Sequence, residues 1–159
     1  MSYERTFQLP PSAITVRASI QHAHELHKFE NVDAYLHLAQ HDSLIDMSFA
    51  ESKLRMRPRE DLEDFDLFTF QGPTRMRLYV FNVKVMLRDT VSGVDNISRF
   101  RRIRGGAQRS LQRVGGTHLH LEDEDAPKLI LGMDFLGLVN WSYTLRSDTT
   151  AQLLIADTK

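Results

Sequence analysis

The stretch Arg75-Met76-Arg77-Leu78-Tyr79-Val80-Phe81-Asn82-Val83-Lys84-Val85-Met86-Leu87-Arg88-Asp89 decides the fold. Tyr79, Phe81, Val83, Val85 and Leu87 fall on one face at period two. The other face carries Met76, Leu78 and Val80 and then turns polar at Asn82, Lys84 and Arg88. Alternation of this kind predicts a long central antiparallel strand with one face on the core and the other half covered. Ser92-Gly93 is expected to end it.

Upstream, Leu67-Phe68-Thr69-Phe70 and the turn residues Gln71-Gly72-Pro73 lead into that strand from the acidic run Glu60–Asp66. Lys53-Leu54-Arg55-Met56-Arg57 alternates charged and apolar residues before Pro58, which predicts an edge strand guarded against unwanted pairing. Ile45, Met47 and Phe49 alternate with Asp46 and Ser48 and predict another strand. Across Gln21–His41 the period changes, because Val32, Leu36 and Ala39 recur at helical spacing and Tyr35 and Leu38 widen the stripe. That segment is expected to be a helix capped by Asn31. Ala13–Ser19, with Ile14, Val16 and Ala18 on one face, is expected to be a strand. Residues 1–12 form an extended, flexible arm in this parse, since Leu9-Pro10-Pro11-Ser12 holds the chain out of the helical region.

Downstream, Thr117–Leu121 and Lys128–Leu131 predict short strands on either side of the acidic run Glu122–Asp125, with Pro127 closing that loop. Val139, Trp141, Tyr143 and Leu145 alternate up to Ser147-Asp148-Thr149-Thr150, and Gln152–Ala156 returns as the second arm of a hairpin. Strands dominate without regular strand–helix alternation. The expected class is therefore α+β, a mostly antiparallel sheet with one or two helices packed on it, in a single globular domain over residues 13–159.

The chain has 159 residues and no cysteine, so a disulfide framework and thiolate metal sites are excluded, and a reducing compartment is expected. No stretch approaches the ~20 apolar residues of a membrane span. The leading residues Met-Ser-Tyr-Glu-Arg-Thr-Phe-Gln-Leu lack the apolar core of a signal peptide, and Ser2 stands where myristoylation requires glycine. Membrane contact is expected to be peripheral.

A net charge of -1 excludes a generally basic coat, so polyanion binding has to come from a patch. Six arginines supply one: Arg99, Arg101, Arg102, Arg104, Arg109 and Arg113 lie in a stretch with no acid. The guanidinium fork matches phosphate or carboxylate better than a point charge does. Phe100 and Ile103 among them allow base stacking or shallow lipid insertion. Gly105-Gly106 suggests a mobile loop, and the acidic runs at Glu60–Asp66 and Glu122–Asp125 are available to pair with it.

Catalytic and metal chemistry find little support. His37 and His41 are spaced to chelate zinc on a helix, but Leu38 stands where the zinc-protease motif needs glutamate. His118, His120 and Glu122 share one face of the expected strand, although histidines among polar neighbours are mostly solvated. No nucleophile elbow, Walker loop or dinucleotide glycine loop is present. Leu129-Ile130-Leu131-Gly132-Met133-Asp134-Phe135-Leu136 resembles the late Leu-Gly-Met-Asp-Phe-Leu segment of retropepsin-like aspartic proteases. Those enzymes need an Asp-Ser/Thr-Gly loop in which two carboxylates share a proton. Asp89-Thr90-Val91, Asp148-Thr149-Thr150 and Asp157-Thr158-Lys159 all lack its glycine. The expectation is a protein without enzymatic activity and without cofactors.

The order of segments resembles the small matrix proteins of negative-strand RNA viruses, rhabdoviruses in particular. The similar parts are the proline-bearing arm to Ser12, the strand Ile14-Thr15-Val16-Arg17-Ala18 leading into a helix, the long strand Leu78–Leu87, and Phe135-Leu136-Gly137-Leu138-Val139 with a hairpin ending at Ala156-Asp157-Thr158-Lys159. Pro11-Ser12-Ala13-Ile14 differs from the Pro-Ser/Thr-Ala-Pro budding motif at its last position, and the lysine-rich arm of such proteins is missing. The resemblance implies a homo-oligomeric virion protein that bridges nucleocapsid or RNA to an anionic membrane surface. It implies a place in the virion, in the host cytoplasm, at the inner face of the host membrane and in the nucleus. Self-association would use the arm and the edge strand, at Phe7, Leu9, Pro10, Pro11, Leu54 and Met56. The alternative is a small monomeric intracellular binding module for an acidic or nucleic-acid ligand.

Overall fold

The computed structural model describes residues 2–9, 13–69, 72–87, 101–108 and 127–156. The expected long strand is the organising element. Strand β6 (Gly72–Leu87) runs antiparallel to three partners along its length. Its first half pairs with β5 (Leu62–Thr69), Val80–Val85 pair with β7 (Arg101–Gln108), and Val85–Leu87 pair with β2 (Thr15–Gln21).

Strand β2 also pairs with β3 (Phe29–Leu36), and β3 continues through β8 (Leu129–Leu131) and β4 (Leu44–Asp46) back to β7. The β2–β6 pairing thus closes the strands into a ring, from which the β5–β6 hairpin projects. Among the described residues the fold is mostly β-sheet with two short helices. The large sheet is mixed, because β3–β8 and β4–β7 are parallel while the other pairings are antiparallel. A separate sheet in the order β1-β10-β9 is formed by β1 (Ser2–Gln8), β10 (Thr150–Ala156) and β9 (Asn140–Leu145). The latter two are the expected C-terminal hairpin.

Apolar residues inside the ring and under the small sheet form the main core, which includes Val16, Ile20, Ile45, Phe81, Val83, Leu129, Leu131, Phe135 and Leu153. Alternate residues of the same strands point outward. Leu44, Val80 and Ile130 meet Phe65 and Leu67 of β5 in a second cluster. The hairpin therefore covers the sheet's outer face over part of its area.

Five expectations are corrected. The segment read as a helix over Gln21–His41 contains β3, because Val32 and Ala34 are buried between exposed Asn31 and Asp33, a period of two. The apolar positions 32 and 36 fit either period, and hydrogen bonding to β2 selects the strand. The strand expected through Phe49 stops at Asp46, whose carboxylate accepts the Phe49 N–H at 2.8 Å and caps α1 (Met47–Ser52). Lys53–Arg57 is not an edge strand: the Leu54 N–H donates to the Phe49 carbonyl, the Met56 N–H to the Ala50 carbonyl, and Arg55 has φ 56°.

The fourth correction concerns Gly105-Gly106, which lies inside β7 and is buried, not in a mobile loop. A Cβ on Gly106 would sit 3.0 Å from Phe65 Cδ1 and 3.1 Å from both Leu44 Cδ2 and Leu78 Cδ1. Glycine is there for close approach of the hairpin to the sheet. The N-terminal segment is extended as expected, but Ser2–Gln8 is hydrogen-bonded along its length to β10 and buries Tyr3 and Phe7. It is a strand of the fold, not a free arm.

Candidate anion-binding site

The outward face of β6 carries Asn82, which is exposed, and Lys84, which is half-buried. Register sets Arg104 opposite Asn82 and Arg102 opposite Lys84. Directly opposed residues of an antiparallel pair share a face, so β6 and β7 bring these positions together on one side of the sheet. In the same register Arg101 is opposite Val85 and Ile103 opposite Val83. Arg99, Arg109 and Arg113 lie outside the described residues, as do His118, His120, Glu122 and the acidic run Glu122–Asp125.

The chain leaving α1 brings further cations to this face. The Arg59 N–H donates to the Val80 carbonyl at 2.8 Å, which lays the segment 55–59 beside β6. The opposite wall is the loop 22–28, closed by the His22 N–H to the Lys28 carbonyl at 2.9 Å and by Gln21 Nε2 to the Leu26 carbonyl at 2.8 Å. Between these walls lies a cavity of about 250 Å³ whose lining includes His22, Leu26, Met56, Arg57, Asn82 and Lys84. Among the described residues no carboxylate lines it.

Charge in this cleft is unevenly engaged. Arg59 Nη1 pairs with Glu63 Oε2 at 2.9 Å. Arg57 and Lys84 have no ion-pair partner among the described residues. The His22 ring is buried, and its Nδ1 accepts the N–H groups of His24 at 3.3 Å and Glu25 at 3.2 Å. An acceptor at Nδ1 leaves the ring proton on Nε2, so the imidazole offers a donor on its other side. The cleft thus combines two cations without an ion-pair partner among the described residues, neutral donors and an apolar wall. Only the arginines of β7 were visible in the sequence as a cluster. Arg57 and Lys84 come from segments read separately, and no spacing rule links them.

The residues expected to mediate self-association are placed elsewhere. Phe7 is buried and packs its ring against Tyr143 at a centroid distance of 6.3 Å. Leu54 is fully buried, and Met56, half-buried, packs on the main core. Leu9 donates its N–H to the Thr149 carbonyl. Pro10 and Pro11 lie outside the described residues. Phe7 and Leu54 therefore serve the chain's own core, which corrects the expectation that they contact a neighbour.

The Gly-Met-Asp-Phe-Leu segment follows β8, with Gly132 as the N-cap of α2 (Met133–Leu136). Asp134 accepts from the Ser43 N–H and hydroxyl, at the start of β4. β4 ends at Asp46, a carboxylate that sequence reasoning passed over. The signal was Leu44-Ile45-Asp46, a short apolar strand ending in an acid. Met47-Ser48 follows it instead of Thr-Gly, and the buried carboxylate is occupied as the cap of α1.

His41, Asp42 and Asp66 approach within 4.8 Å at one potential ligand atom each. Each of the three side chains is engaged in a hydrogen bond within the protein. His41 Nδ1 meets Asp42 Oδ1 at 3.0 Å, Asp42 Oδ2 accepts the Asp66 N–H at 2.8 Å, and Asp66 Oδ1 binds Arg75 Nε at 3.1 Å. That hydrogen bond, then the charges of Asp66 and Asp64, raise the Arg75 guanidinium pKa above its ordinary value. His37 follows β3, so the helical zinc spacing with His41 does not arise.

The chain matches no family model, no curated protein and no solved structure. The functional reading rests on the geometry of the cleft.

Proposed function

We propose that this protein is a non-enzymatic structural protein that holds phosphate-bearing partners through the basic cleft beside β6. In the role that the matrix-protein resemblance implies, the partners are nucleocapsid RNA and an anionic membrane surface, and copies of the chain associate during virion assembly. The observation that carries this reading is the convergence of Arg57 and Lys84 on a cavity with no carboxylate in its lining among the described residues, next to the backbone positions of Arg102 and Arg104.

Physical chemistry favours phosphate here. Cations with no acid partner among the described residues gain from displacing counterions of a polyanion, a term that sums over contacts and weakens with salt. Phe81 in the cavity wall is almost fully buried, so no aromatic platform for base stacking is offered there. Recognition by the cleft is of charge, not of nucleotide sequence.

A specific observation also favours association of copies. In the small sheet β1 and β9 are the edge strands, and β9 exposes Leu145. A free edge is a template for strand addition. Sedimentation at rising protein concentration and low salt tests this part, with a strict monomer favouring the monomeric binding module instead. The cleft is tested by fluorescence anisotropy of a labelled single-stranded RNA with the wild type and Arg57→Ser/Lys84→Ser. The double substitution is expected to weaken binding, and equal affinity of the two proteins would overturn the assignment.

A further inference from the structure

We infer that the cavity beside β6 takes one molecule of a small amphipathic anion, a phosphate or carboxylate joined to a short apolar body. This uses the same cleft as the function proposed above but does not require that RNA be the polymer bound. The cavity is two-sided. Arg57, Lys84 and His22 supply the anion half, while Leu26 and Met56 supply apolar surface.

Leu26 is the informative residue. It is 63% exposed, on a loop that is not free to fold it away. Its carbonyl accepts from Gln21 Nε2, and the loop is tied by Lys28 N–H to the Glu25 carbonyl at 2.8 Å and by Ala23 N–H to the Leu54 carbonyl at 2.9 Å. A leucine held out in water beside Met56 leaves apolar area exposed that a ligand's hydrocarbon would cover. The cations next to it suit only a ligand with an anionic end. A polyphosphate chain satisfies the cations and leaves Leu26 wet; a neutral lipid does the reverse.

Size narrows the class. About 250 Å³ is below the ~300–1,000 Å³ typical of pockets for drug-sized ligands, so the apolar body is no larger than a single short alkyl chain or one small ring. Both a soluble metabolite with an acidic end and the headgroup region of an anionic lipid present this chemistry.

Isothermal titration at high salt with octyl phosphate, inorganic phosphate and octanol tests the inference on the full chain. Octyl phosphate should bind one to one, at least about tenfold tighter than inorganic phosphate, because two or more methylenes leave water. Octanol should give no saturable heat. Leu26→Ser should weaken octyl phosphate and leave inorganic phosphate unchanged, whereas Arg57→Ser/Lys84→Ser should weaken both. Leu26 and Arg57 are exposed, and a circular dichroism spectrum checks that each variant is folded. Octyl phosphate binding no tighter than inorganic phosphate, or unaffected by Leu26→Ser, would overturn the inference. If octyl phosphate binds while RNA does not, the polymer reading fails and this one stands. Sedimentation with phosphatidylserine vesicles that octyl phosphate abolishes assigns the anion to a membrane. Octyl phosphate binding with no vesicle sedimentation assigns it to a soluble molecule, and both results support the class.

Discussion

Asp134 accepts two hydrogen bonds from Ser43, a residue 91 positions earlier: one from its backbone N–H at 2.9 Å and one from its hydroxyl at 2.6 Å. The Ser43 hydroxyl oxygen in turn accepts the Gly132 N–H at 3.1 Å, and Asp134 also accepts the Phe135 N–H at 2.7 Å. This link fixes α2 against the start of β4 and so sets the two middle strands of the ring. Ser43 is fully buried, so removing its partner strands a donor. Asp134→Ala is expected to cost about 1–3 kcal/mol, read as a lower urea midpoint, and Asp134→Asn to cost less.

Gly132→Ala should be more damaging than its single methyl suggests. A Cβ there would lie 2.5 Å from the Gln40 carbonyl oxygen and 2.8 Å from that of His41, both backbone atoms. The same change at Gly137 meets one carbonyl at 3.1 Å. Thermal unfolding of the two variants is expected to show the larger loss at Gly132, on the order of 1–3 kcal/mol for overpacking.

Removal of residues 1–12 is expected to impair folding itself. β1 buries Tyr3 and Phe7, and the Tyr3 hydroxyl accepts the Arg17 N–H at 2.8 Å, tying the small sheet to β2. Phe7→Ala alone should cost about 3 kcal/mol. A truncated chain with unchanged denaturation midpoint would contradict the packing described.

Leu54→Ala distinguishes core from contact surface. The side chain is fully inside the main core, so the substitution should lower stability by roughly 2–5 kcal/mol and leave association of the folded protein unchanged. Loss of association at full stability would return Leu54 to the surface role that its place between Lys53 and Arg55 suggested.

Much of the sheet was legible because burial on one side writes period two into the chain. β6, β2 and the β9–β10 hairpin follow from that rule, while β8 is a short apolar run buried on both faces. β3 was misread because Val32 and Leu36 satisfy both periods, and only pairing with β2 decides between them. Gly105-Gly106 was misread for a different reason. Glycine in a strand looks like a loop unless the crowding around it is known, and Phe65, Leu44 and Leu78 converge there from distant segments. The cleft was half legible. The β7 arginines stand out in sequence, while Arg57, Lys84 and His22 meet only through the β6 backbone.

The most direct test of the central claim is the salt dependence of RNA binding, compared between wild type and Arg57→Ser/Lys84→Ser. Each phosphate contact to a single strand contributes about 0.7 to the slope of log K against log salt, so losing both cations should reduce the slope by about 1.4. That reduction, with fold intact, is the predicted result; parallel lines for the two proteins would show that the cleft does not hold phosphate.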